Sequence, residues 1–177
     1  LREVPSLEPA PGQALVEVIA CAICRTDLHV LDGELDRPTL PLIPGHQVVG
    51  TIGAVGDRVT DRRVGDLVGV PWLGWADGTC GYCTSGRENL CPDARFTGYD
   101  LDGGYAERLV VDARFCLPVP RGFEPVAATP LLCAGAIGYR ALRLAGDGGL
   151  IGLYGFGNAA RLVTQIALHE GRRVFAF

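Results

Sequence analysis

Over the first two-thirds of the chain, apolar positions either alternate with polar ones or run in short blocks, a pattern of strands rather than helices. "ALVEVIACAI" (14–23) follows a Pro-Gly turn and predicts an apolar-rich strand. "VVGTIGAVGDRV" (48–59) and "VGDLVGVPW" (64–72) are Val-rich with interleaved Gly, which suits the tightly curved strands of a small barrel. "GGYAERLVVDARFCLPVP" (103–120) predicts two more short strands with a turn near Asp112. From about residue 124 the pattern changes. "EPVAATPLLCAGAIGYRALRLAG" carries helix formers and ends in Gly, a helix stop. "LIGLY" (150–154) is a buried-strand run, "GFGNAA" a glycine-rich turn, and "ARLVTQIALHEG" (160–171) an amphipathic helix with Leu162, Val163, Ile166 and Ala167 on one face. "RRVFAF" (172–177) begins another strand. Strand, glycine turn, helix, strand is a βαβ unit. Parallel sheets need more strands than two, so the pattern predicts a second domain that is incomplete.

Composition narrows the classes. A chain of 177 residues, 48% hydrophobic and 20% charged, holds a real core and either one large domain or one domain and part of another. A net charge of −4 without any basic run argues against nucleic-acid and membrane-surface roles. No apolar stretch approaches the roughly 20 residues of a membrane helix, and "LREVPSLEPAPGQ" has no signal-peptide character. All 16 basic residues are Arg, with Lys and Met both absent. The missing Lys reads as base-composition bias in the gene; the missing Met makes the chain read as a fragment or processed piece. Seven cysteines cannot all pair, and without a secretion signal they point to a reducing cytoplasm, where cysteine clusters mean metal or chemistry.

The cysteines concentrate in "PWLGWADGTCGYCTSGRENLCP" (71–92), where Cys80, Cys83 and Cys91 have metal-ligand spacing. Three residues before Cys80 stands Asp77; by spacing alone it is either a carboxylate ligand or the mark of a lost site. Gly155-x-Gly157-x-x-Ala160 after a strand and opening a helix is a dinucleotide fingerprint: Gly155 permits the turn and Gly157 the close approach of a pyrophosphate. The acidic residue that would read the ribose falls past Phe177, so NAD and NADP are not separated. "CAICRTDLH" (21–29), "PGHQVVG" (44–50) and "LLCAG" (131–135) are each weak alone.

Together these stretches resemble the zinc-dependent alcohol dehydrogenases of the medium-chain dehydrogenase/reductase family, nearly end to end from "ALVEV" to "RRVFAF". "GVPWLG", "SGRENLC", "RFTGY" and "DGGYAE" are similar to its cinnamyl-alcohol-dehydrogenase-like bacterial branch. The resemblance implies a β-rich GroES-like barrel catalytic domain over 1–145, with a zinc lobe at 74–95. The start of an α/β Rossmann domain follows over 146–177, cut in its second strand. It implies reversible hydride transfer between a primary alcohol or aldehyde and NAD or NADP, in a cytoplasmic homo-oligomer (dimer or tetramer) when full length. Missing chain on both sides implies that the fragment alone is inactive.

By the same resemblance Cys24, His46 and Cys133 hold a catalytic zinc whose fourth position takes the substrate oxygen and lowers its pKa. Thr26 would take the substrate proton and His29 pass it to solvent through the cofactor ribose, although His29 alone reads as a surface residue. Asp27 would orient His46, and Arg25 would meet the pyrophosphate or simply be solvated. Gln47 stands where the family very often has Glu, removing a negative charge near the metal and making a bound alcohol slightly more acidic. Ile137 replaces a hydroxyl residue that many relatives place near the nicotinamide. Asp77 becomes the first ligand of a structural zinc with Cys80, Cys83 and Cys91, keeping the charge of a four-cysteine site but binding less tightly. Trp72 and Leu73 read as substrate-pocket walls or as core. Cys21 and Cys116 read as core cysteines, and His169 as solvated at a helix end. Two other readings stand beside this one: a polyol or sugar dehydrogenase of the same family, and a non-catalytic zinc-stabilised β-barrel binding module. The latter leaves Cys24, His46, Cys133, Thr26 and His29 without a role, and a zinc-free reductase is disfavoured on the same ground.

Overall fold

The alternating Val-rich segments pair into an antiparallel sheet. A computed structural model describes residues 3–5, 7–36 and 38–177. In chain order come β1 (Gln13–Cys21), the short helix α1 (Arg25–Leu31), β2 (Val48–Val55), β3 (Leu67–Val70), β4 (Leu73–Trp75), β5 (Arg95–Phe96), β6 (Arg108–Asp112), β7 (Leu117–Pro118) and the one-turn α2 (Pro125–Ala128). The sheet runs β6-β1-β2-β3-β7, and all its pairs are antiparallel. Register shifts between Leu15 and Val16 and between Val18 and Ala20 mark bulges in the β1–β2 pair, which curve the sheet. Ala14, Val16, Ile52, Val68, Leu109 and Val111 meet in its core, each larger side chain contributing about 1.5–3 kcal/mol by burial. A β4–β5 ribbon stands apart. Between its strands the chain makes the cysteine lobe, built on 3₁₀ turns at Cys83–Ser85 and Glu88–Leu90.

The chain forms two compact units, Leu1–Thr129 and Pro130–Phe177. The second holds α3 (Ala134–Leu144), β8 (Leu150–Leu153), α4 (Asn158–His169) and β9 (Arg173–Ala176), with β8 and β9 parallel. On α4 the expected face is the packed one: Val163 and Ala167 are buried, and Leu162 and Ile166 half-buried. Arg172, itself buried, bonds the Gly146 carbonyl and pairs with Glu170, tying the end of α3 to the end of α4. The sequence-based division at 145/146 falls just after α3.

Several expectations change in detail. The helical run from residue 124 is broken into α2, a 3₁₀ turn at Thr129–Leu132 and α3; Pro130 has no N–H to continue the ladder. β2 stops at Val55 because Gly56–Arg58 turn the chain, with Arg58 at φ 68°. The helix α1 and the β4–β5 ribbon were not expected from the pattern. Among the described residues no helix is long and apolar enough to cross a membrane.

Candidate metal centres and nucleotide turn

The first unit brings three of the expected residues into one network, with Asp27 and His46 buried and Cys24 half-buried. Cys24, in extended backbone, ends the loop before α1, and its N–H donates to Asp27 Oδ2 at 2.7 Å. Asp27, buried in the first turn of α1, accepts from His46 Nδ1 through Oδ1 at 3.0 Å. His46 sits just before β2, 1% exposed, with a ring nitrogen within 4.8 Å of the Cys24 sulfur. Gly45 makes this delivery possible. Its φ is 100°, and an added Cβ would lie 2.9 Å from both Cys21 Sγ and Tyr105 Cδ1. With Nδ1 committed to Asp27, Nε2 is the ring nitrogen turned to ligation.

The electrostatics follow from these bonds. Burial pushes the Asp27 carboxyl up, but the bonds from His46, the Cys24 N–H and Tyr105 outweigh it, so the group stays below its ordinary value and ionised. Burial likewise raises Cys24, yet the Thr26 amide and hydroxyl and His46 bring the thiol below its ordinary value. Cys24 and His46 therefore offer a thiol inclined to ionise and an oriented imidazole, with ligand atoms within 4.8 Å. Those are donors that suit zinc.

Other expected residues lie nearby in the same unit. Thr26 shares a hydrogen bond with the Cys24 sulfur at 3.7 Å, and Arg25 is exposed at the start of α1. His29 in the last turn of α1 pairs through Nδ1 with Glu34. Gln47 is buried and donates to the Ala22 carbonyl at 3.3 Å. Trp72 meets the His46 ring edge-on at 4.9 Å and stacks on Phe96 at 5.0 Å, walling that side of the imidazole. Half-buried Leu73 opens β4. Cys21 is pushed up to about 11 by burial, which makes it a poor nucleophile and fits the core reading. All seven cysteines are free thiols. In the second unit, half-buried Cys133 caps the start of α3, Ile137 is exposed on that helix, and His169 is exposed at the end of α4.

Two residues in contact with the expected set carry no signal in the sequence pattern. Glu34 partners His29, and the Tyr105 hydroxyl donates to Asp27 Oδ2 at 2.8 Å. Burial and then the Asp27 carboxylate raise the Tyr105 phenol well above its ordinary value, so it remains a donor.

The lobe gathers Asp77, Cys80, Cys83 and Cys91 with ligand atoms within 4.8 Å of one another. Asp77 Oδ1 accepts the N–H groups of Thr79 at 2.6 Å and Cys80 at 2.8 Å, leaving Oδ2 aimed at the thiols, 3.4 Å from Cys91 Sγ. A tetrahedral zinc with Zn–S of about 2.3 Å needs neighbouring ligands about 3.5–3.8 Å apart, so this donor set fits zinc after slight closure. Those backbone N–H bonds, from Cys80 first and then Thr79, hold the Asp77 carboxyl well below the usual carboxylate range.

The glycine turn joins β8 to α4. Gly155 has φ 85° and Gly157 caps the helix without a side chain; a Cβ on either would meet only open space. Ala160 follows in the first turn of α4. A helix start with unpaired N–H groups and no side chain before it fits a phosphate.

Residues 10–121 match the model of the alcohol dehydrogenase GroES-like domain. The chain is 48% identical over 175 residues to the "Probable alcohol dehydrogenase AdhA" of Mycobacterium tuberculosis (strain CDC 1551 / Oshkosh), covering 94% of this chain and 50% of that protein. Among solved structures it superposes on a cinnamyl alcohol dehydrogenase of Sorghum bicolor with a TM-score of 0.90 at 32% identity, over 98% of this chain and 52% of the other. A second match is the cinnamyl alcohol dehydrogenase of Helicobacter pylori complexed with NADP(H), with a TM-score of 0.89 at 29% identity, over 96% and 52%. The chain thus spans about half the length of the relatives it matches.

Proposed function

The chain belongs to the family of alcohol dehydrogenase GroES-like domains, and from that premise we propose that its full-length protein is a zinc-dependent, nicotinamide-linked alcohol dehydrogenase. It would exchange hydride between a primary alcohol or aldehyde and NAD or NADP. The observation that carries this reading is the buried Asp27–His46 pair set against Cys24. A core histidine kept only for packing has no need of an ionised carboxylate fixing its tautomer.

In this reading Cys24 and His46 hold the catalytic zinc with Cys133, whose assignment rests on the family pattern. Bound there, zinc supplies Lewis acidity that makes an alcohol easier to deprotonate. Asp27 keeps His46 Nδ1 protonated and its ring oriented, and Trp72 shields the imidazole from water. The Thr26 hydroxyl, beside the Cys24 sulfur, would take the substrate proton, and His29, paired with Glu34, would carry it outward. The second unit begins a dinucleotide-binding domain in which Gly155, Gly157 and Ala160 receive the pyrophosphate and Arg25 adds a cation. Asp77, Cys80, Cys83 and Cys91 hold a structural zinc. The 177-residue chain alone is proposed to be inactive, since in this reading it carries only part of the cofactor site.

Metal analysis and alcohol-dependent reduction of NAD and NADP by the full-length protein test this. About two zinc ions per chain, one for each donor set, together with turnover are expected. A single zinc whose removal unfolds the protein, without turnover of any alcohol, would replace the reading with a binding module; preference for polyols over simple primary alcohols would correct the substrate class.

A further inference from the structure

We propose that Tyr105 is a positioning residue of the metal site, holding the His46 imidazole in its ligating orientation through Asp27. This rests on the zinc-enzyme reading above and deepens it.

Tyr105 ends the loop "DGGY" (102–105), which is fastened along residues 43–45, the backbone that delivers His46. Asp102 Oδ1 accepts from the Ile43 N–H at 2.9 Å. The N–H groups of Gly103, Gly104 and Tyr105 donate to the carbonyls of Ile43, Gly45 and Pro44 at 2.6, 2.8 and 3.0 Å. From this clamp the Tyr105 hydroxyl reaches Asp27 at 2.8 Å, across 78 positions of sequence. The ring lies so close over Gly45 that a Cβ there would come within 2.9 Å of it.

The division of labour on Asp27 gives the hydroxyl its function. Oδ2 takes two donors, the Cys24 N–H and Tyr105 O–H, while Oδ1 faces His46 Nδ1. Two donors on one oxygen fix the rotation of the carboxylate plane, and that rotation sets the imidazole. With only the Cys24 N–H left, the plane can turn, and the imidazole loses its fixed direction toward the metal. Partners of metal-ligating histidines typically change metal affinity by about 10–100-fold; one bond further out, Tyr105 is expected at about tenfold. The clamp also makes the metal site depend on the loop after β5, so that the histidine, its carboxylate and its tyrosine are supplied by three separate segments.

The test uses the full-length protein with Tyr105→Phe, Asp27→Asn and the double variant. Chelator titration measures metal retention at each donor set, and cobalt(II) in place of zinc reports geometry through its thiolate charge-transfer and ligand-field bands. Expected for Tyr105→Phe are metal loss from the Cys24–His46 set at about tenfold lower chelator, shifted cobalt bands at that set, and an unchanged lobe. In the Asp27→Asn background the same replacement is expected to add little. Unchanged retention and bands, equal weakening of both sets, or an undiminished effect without Asp27 would each overturn the inference while leaving the enzyme reading in place. A wild-type protein that takes no metal at Cys24 and His46 would overturn both.

Discussion

A single hydrogen bond decides what the position after His46 tolerates. The Gln47 side chain donates to the Ala22 carbonyl, and the Ala22 N–H returns to the Gln47 carbonyl. A glutamate there would set an acceptor against an acceptor. Gln47→Glu is therefore expected to lower stability by about 1–3 kcal/mol, read from the midpoint of chemical denaturation; an unchanged midpoint would show that the side chain turns elsewhere. Asp77 is the second such case. Its Oδ1 is saturated by backbone N–H groups, so only Oδ2 reaches the thiols. Asp77→Cys should hold lobe zinc against more chelator, since sulfur is the softer donor, and Asp77→Ala should release it at less. Equal retention in all three proteins would remove Asp77 from the ligand set. The candidate site residues came from the resemblance rather than from spacing, since "CAICRTDLH", "PGHQVVG" and "LLCAG" are each weak alone. Tyr105 was missed, because its role exists only once chain closure brings it to Asp27.

Elements were legible where burial is periodic and illegible where a side chain or a break decides. The β1, β2 and β3 cores and the α4 face followed from Val and Leu spacing. The helix α1 did not: it is seven residues long, and what fastens its start is the Asp27 carboxylate on the Cys24 N–H, a bond that apolar periodicity does not encode. The β4–β5 ribbon pairs only a few residues and owes its place to the Trp72–Phe96 stack rather than to alternation. In the second unit, close approach of α3 and α4 depends on Gly138, where a Cβ would lie 2.8 Å from Val163 Cγ2 and 3.3 Å from the Ala159 carbonyl. Gly138→Ala gains about 1 kcal/mol of helix propensity but loses about 1–3 kcal/mol to overpacking. The sterics should win, with a lower melting temperature for this unit; a rise would mean that α3 shifts freely enough to make room.

At the scale of the molecule the two units differ in how completely their own strands are paired. In the first, β1 lies between β6 and β2, and β2 between β1 and β3, over a closed apolar cluster. In the second, β8 and β9 have only each other among the described residues, and Leu150, Phe175 and Phe177 remain exposed. An isolated strand pair is marginal in water even with a helix against one face, because so little apolar area offsets the ordering of its backbone. Stability in the 177-residue chain should therefore be graded along the sequence. Amide hydrogen exchange is expected to be slowest in β1, β2 and β3 and faster by orders of magnitude in β8 and β9, through local opening that leaves the first unit intact. In the full-length protein, where the enzyme reading supplies further strands to this sheet, β8 and β9 should gain protection while β1–β3 change little. Equal protection of both sheets in the 177-residue chain would show that the second unit is stable on its two strands alone, and the argument from unpaired edges would fail.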